Sequence, residues 1–138
     1  MTKICTTIEQ SQKLIELGIN TADMYWWYSG KRYYIGAIDD GDYDENIDTP
    51  AWSLSALMNL LPSYFTEVGK YSKSIYEIKI RKYNLIEDVN LHQIAYGNYK
   101  FYEDGSSSWK DMINTVVKED LLDAEFEMVV WLKDNGKI

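Results

Sequence analysis

Several things are scarce in this chain, and each scarcity closes off a class of chemistry. It has a single cysteine, Cys5, and a single histidine, His92. No internal disulfide can form, and a zinc site built on three or four Cys and His ligands is out of reach. No stretch approaches the roughly 18 apolar residues of a membrane span, and the N-terminal residues lack the apolar run of a secretory signal. Gly-x-Gly-x-x-Gly, the Walker loop and Gly-x-Ser-x-Gly are all missing, which removes the common nucleotide sites and the hydrolase nucleophile turn. Cations are outnumbered: 14 Lys and Arg stand against 22 Asp and Glu, a net charge of -8. Direct nucleic-acid binding is not expected of such a balance, because phosphate recognition needs concentrated positive charge. The small basic cluster Lys79, Arg81, Lys82 shares its strand with Glu77 and reads as the wet side of a sheet. A reducing, cytoplasmic setting follows from the cysteine usage, and no cofactor is implied.

What is present is aromatic. Twelve tyrosines and five tryptophans occur in 138 residues, and six aromatics fall between Tyr25 and Tyr34 around a Ser29-Gly30-Lys31-Arg32 turn. Side chains alternate faces along a strand, so a hairpin with consecutive aromatics cannot bury them all against one core. Tyr and Trp give large contact area with a polar handle and are common at interfaces. Trp26, Trp27, Tyr33 and Tyr34 are therefore the candidate binding residues, with a protein partner or a second copy of the chain as the expected target. The competing reading is that cross-strand aromatic pairs merely stabilise the hairpin.

The length fits one domain spanning 1–138. Thr7-Ile8-Glu9-Gln10 matches a capping box opening a first helix, with Ile8, Leu14, Ile15 and Leu17 apolar and Gly18 as the stop. Residues 24–38 read as two strands, and 39–48 as a solvated acidic loop. Ser53, or else Thr49-Pro50, opens a second helix through Leu54, Leu57, Met58 and Leu61, ended by Pro62. Residues 75–83 read as a strand with Tyr76, Ile78 and Ile80 inward; 91–96 and 98–102 read as two more, the latter ending at Glu103-Asp104-Gly105. Residues 109–117 fit strand or helix equally. A last helix over 120–134 centres its apolar face on Leu122, Phe126 and Val129. The expected fold is α+β: a single domain, mostly antiparallel sheet with about three helices packed on one face.

Other groups invite chemistry. Asp40, Asp42 and Asp44 occupy the first three ligand positions of a calcium loop, but Glu45 and Ala51 stand where Gly and Glu are required, so no metal site is assigned. Cys5 precedes a helix, whose dipole can lower a thiol pKa, and could pair with His92 only if the fold joins them. Glu125 falls inside the apolar arc of the last helix. Buried, it would titrate high like a general acid; the simpler expectation is that it reaches water or pairs with a Lys or Arg from the sheet.

Three segments also carry a resemblance: Thr7 to Ser11 on to Leu17-Gly18 and Thr21-Ala22-Asp23-Met24; Pro50-Ala51-Trp52-Ser53-Leu54 on to Leu61-Pro62; and Asp123-Ala124, Phe126-Glu127-Met128-Val129 and Trp131-Leu132. Together these resemble a group of small uncharacterised proteins of gut-bacterial genomes, often found among phage or mobile-element genes. The resemblance implies that genomic setting and no activity. A non-enzymatic accessory binding protein is the leading functional expectation. A small carboxylate-dependent hydrolase and an acidic decoy of a nucleic-acid-binding protein are the alternatives.

Overall fold

In the computed structural model, residues 3–68, 73–86, 89–101 and 107–138 are described. The first helix, α1 (Ile8–Glu16), begins as its sequence requires: the Thr7 hydroxyl accepts from the Gln10 N–H, and the Gln10 side chain accepts from the Thr7 N–H. Its inward residues are Leu14 and Ser11, whereas Ile15 points to solvent. A serine can take the inner place because its hydroxyl lies 2.8 Å from that of buried Thr6, which satisfies both groups away from water.

Strands β1 (Met24–Tyr28), β2 (Tyr33–Ala37) and β3 (Thr49–Ala51) form a three-stranded antiparallel sheet in the order β2-β1-β3. Thr49-Pro50 thus enters a short edge strand and not a helix, a position proline tolerates. Ser53 caps α2 (Leu54–Met58), accepting from the Ala56 N–H. That helix is a turn shorter than its apolar spacing implied; a turn at Asn59–Leu60 carries the chain to Pro62.

The second sheet contains β4 (Tyr64–Val68), β5 (Lys73–Ile86), β6 (Val89–Phe101) and β7 (Ser107–Lys118), antiparallel in that order. Residues 109–117 are therefore strand. The segments read as separate strands at 91–96 and 98–102 are one strand, β6, whose pairing with β7 shifts register after Tyr96 and again after Asn98. The expected stop at Glu103-Asp104-Gly105 lies outside the described residues. Tyr76 and Ile78 pack against the core, but Ile80 is exposed: β4 pairs with β5 only as far as Glu77, and Ile80 lies past it.

The chain closes with α3 (Leu121–Asp134), capped by Asp120, whose carboxylate accepts from the Leu122 N–H. This helix packs on β6, β7 and α2. Trp52, Leu57, Ile94, Tyr96, Leu122, Met128, Val129 and Leu132 are buried in the core between them. The fold is α+β with the antiparallel strands divided between two sheets. Thr6 and Trp52 join its parts: the Trp52 carbonyl accepts from the Thr6 N–H, the Thr6 hydroxyl accepts from the Trp52 N–H, and the Trp52 indole donates to Thr21. Among the described residues no helix is long and apolar enough to cross a membrane.

Candidate functional site: the aromatic hairpin

The β1–β2 turn closes through the Ser29 N–H and hydroxyl, both donating to the Arg32 carbonyl. Gly30 sits at φ 90°, a left-handed conformation that costs glycine nothing and other residues a good deal. From there the register pairs Tyr28 with Tyr33, Trp27 with Tyr34, Trp26 with Ile35 and Tyr25 with Gly36. Directly paired residues share a face, and successive pairs alternate. Tyr28–Tyr33 and Trp26–Ile35 therefore lie on one side, Trp27–Tyr34 and Tyr25–Gly36 on the other.

The two sides are fixed differently at their base. On one, the Trp26 indole donates to the Thr6 carbonyl at 2.9 Å and the side chain is half-buried. On the other, Tyr25 is buried and its ring stands 5.3 Å from that of Tyr43 in the acidic loop. Burial first, then the carboxylates of Asp42, Asp48 and Asp40, hold the Tyr25 phenol above its usual pKa. The base of the hairpin is thus part of the fold.

The tip is not. Trp27 is 39% exposed, Tyr28 58% and Tyr33 52%. Trp27 stacks on Tyr34 with centroids 4.8 Å apart; Tyr28 tilts against Tyr33 at 4.9 Å. Arg32 lies over the Tyr34 ring, and its Nε–H donates to the Tyr34 hydroxyl. Each pair is ordered by its neighbour while leaving ring surface open to solvent. Of the four residues singled out in the sequence, Trp27, Tyr33 and Tyr34 gather at this tip, and Trp26 is tied to the fold by its hydrogen bond. Tyr28 joins them; its alternation with Trp27 on a short strand was the available signal.

The other candidates lie apart. Cys5 is buried, and its thiol is pushed up to about 11 by burial and by Asp23, the opposite of what a helix start can do. No hydrogen bond joins it to His92, which pairs across β6 with Lys82 and Lys118. Two carboxylates of the acidic loop are engaged within it: Asp48 accepts from the Asp44 N–H, and Asp44 from the Asn46 N–H. Among the described residues no group of three His, Cys, Asp or Glu is placed to hold a metal.

Glu125 corrects the simpler expectation for it. It does not reach water: it is fully buried, and among the described residues neither carboxylate oxygen has a hydrogen-bond partner. Burial pushes its carboxyl up to about 7. The cause is its helical position: Leu122, Val129 and Leu132 lie on the same inner side of α3.

No protein-family model, curated protein or solved structure matches this chain.

Proposed function

We propose that this protein is a non-enzymatic accessory factor that binds another protein through the tip of the β1–β2 hairpin. In this reading it acts in the cytoplasm, in the phage or mobile-element setting that the sequence resemblance implies. The observation that carries the proposal is the solvent-open pair of aromatic contacts, Trp27–Tyr34 and Tyr28–Tyr33, on opposite faces of one ordered tip. Exposed, pre-ordered aromatics bind with little further loss of side-chain entropy, and such residues dominate the energetics of protein interfaces.

The test compares wild type with a Trp27→Ala/Tyr33→Ala double variant, both verified as folded by circular dichroism. Proteins captured from host lysate are identified, purified and titrated calorimetrically against each form. The expected result is a captured protein that binds wild type directly and the folded variant at least about tenfold more weakly. Equal binding by both forms would overturn the proposal.

Glu125 favours a second reading, a hydrolase using carboxylates, because a carboxyl near 7 suits a general acid. Such chemistry needs a partner group and a path for substrate. The groove beside α3 is lined by Glu127 and Asp134 and not by Glu125, so binding takes precedence. The decoy reading calls for acids spaced along a surface, whereas Asp39, Asp40, Asp42, Asp44, Glu45 and Asp48 crowd one loop.

A further inference from the structure

Besides its rings, the tip of the hairpin carries a cation held in a fixed pose. From Met24 to Ile38 the chain has Lys31 and Arg32 and no carboxylate, within a protein of net charge -8. Both cations are exposed, and among the described residues neither forms an ion pair. Arg32 is fixed at two points. Its carbonyl accepts from the Ser29 N–H and hydroxyl, which sets its backbone at the turn. Its guanidinium carbon lies 4.7 Å from the centre of the Tyr34 ring, and its Nε–H donates to the Tyr34 hydroxyl at 2.6 Å. Tyr34 in turn stacks on Trp27 at 4.8 Å. Trp27, Tyr34 and Arg32 therefore form one layered unit on one flat of the hairpin.

An exposed arginine ordinarily samples many rotamers and loses that freedom on binding; here much of it is already lost in the free protein. Only the Nε–H is engaged, and among the described residues the terminal N–H groups make no hydrogen bond. Those groups are the planar fork that meets a carboxylate with two parallel bonds. Charge of the opposite sign lies toward the base. Asp48 precedes Thr49, the partner of Trp26, and so sits at the end of β3, two strands across from β2. At about 4.8 Å per strand that is roughly 10 Å, where salt screens most of the attraction between exposed charges. The acidic loop thus leaves the fork available. It also bears on what can be bound. A nucleic acid continuing down the hairpin would run into the loop beside Tyr25, whose ring meets Tyr43, whereas a carboxylate on a folded partner stays at the tip.

We propose, on the reading that this tip grips a partner protein, that Arg32 selects the partner: its fork binds an Asp or Glu carboxylate at the rim of the cleft that takes the rings. Tyr34 is the positioning residue for that fork. Lys31 adds charge without direction, since an ammonium has no planar geometry to match. The partner is thus an apolar cleft edged with acid, complementary to a basic aromatic tip on an otherwise acidic chain.

The probe is a blocked peptide of alternating leucine and glutamate, titrated into labelled full-length protein and followed by NMR. Expected are shifts concentrated at the 29–34 amides and the Arg32 Nε–H, with the glutamine counterpart binding at least about tenfold more weakly. Arg32→Lys keeps the charge but not the fork, and should weaken binding about fivefold or more; circular dichroism checks that this exposed change leaves the fold intact. Absence of shifts at the tip, equal binding of the two peptides, or unchanged binding by folded Arg32→Lys would each overturn the proposal. Tighter binding of an oligothymidylate of equal charge would overturn it too, in favour of a nucleic-acid site. Titrating the captured partner against Arg32→Gln separates this proposal from the hairpin reading. A partner that needs Trp27 and Tyr33 but binds Arg32→Gln as tightly as wild type overturns the acidic cleft and leaves the hairpin reading standing. Undiminished binding by Trp27→Ala/Tyr33→Ala overturns both.

Discussion

The ring of Tyr25 occupies the space that a side chain on Gly36 would need: a Cβ there would stand 2.6 Å from the Tyr25 Cζ. The two are direct cross-strand partners, so the glycine lets the tyrosine fold across the neighbouring strand and meet Tyr43. Gly36→Ala should destabilise the protein by about 1–3 kcal/mol through overpacking. Combined with Tyr25→Ala, most of that loss should vanish, since the clash is with the ring. Urea unfolding of the four members of this double-mutant cycle measures the coupling.

Glu125 makes stability depend on pH in a fixed direction. Its carboxyl rises from an ordinary 4.5 to about 7 in the folded chain. Between those values the native protein keeps a proton that the unfolded chain has lost. Stability from this group is therefore greatest below about pH 4.5, falls as pH rises to about 7, and is level above. At about 1.4 kcal/mol per pKa unit the fall is roughly 3 kcal/mol. Glu125→Met should abolish this slope and stabilise the protein at pH 8; denaturant titrations across the pH range decide it, and an unchanged slope would mean another group is responsible.

Neighbouring tryptophans should separate into structural and contact roles. Trp26→Phe removes the donor to the Thr6 carbonyl and should cost about 1 kcal/mol of stability. Trp27→Ala forfeits a stack worth about 0.5–1.5 kcal/mol in addition to a partly exposed surface, yet it should be the change that impairs partner binding. Thermal melts beside the binding titration test this division, and a variant that reverses it would show the base of the hairpin to be the interface.

Cys5 should be inert while the protein is folded. With its thiol raised to about 11 by burial and Asp23, almost no thiolate exists at pH 8. Reaction with a thiol reagent should be at least about a hundredfold slower in the native state than in urea, and comparable rates would show that the thiol is accessible.

The α+β class, the helix starts at Thr7 and Ser53, and the hairpin turn at Gly30 were legible because each is governed by chemistry within a few residues: a hydroxyl facing an N–H, or a glycine where φ is positive. Residues 109–117 were not, because Trp109, Met112, Ile113 and Val116 recur at a helical spacing among polar residues in a short segment rich in β-formers, and only pairing with β6 decides it. The division into two sheets was equally hidden, since β3 exists only because Pro50 comes to lie opposite Tyr25. Sequence placed Glu125 among apolar neighbours but could not show that, among the described residues, its carboxylate finds no hydrogen-bond partner. At the hairpin, the alternation of faces was readable, while the bond that commits Trp26 to Thr6 spans 20 residues.

The opposed placement of the two aromatic pairs constrains the shape of anything that grips the hairpin. A two-stranded tip is a thin blade, with Trp27–Tyr34 on one flat and Tyr28–Tyr33 on the other. A planar surface laid against it touches a single flat and leaves half of the rings wet. Full engagement requires a slot with two walls, entered end-on with Lys31 and Arg32 leading. Shape would then discriminate before chemistry does, since a cleft too narrow for stacked rings would turn the blade away at its mouth.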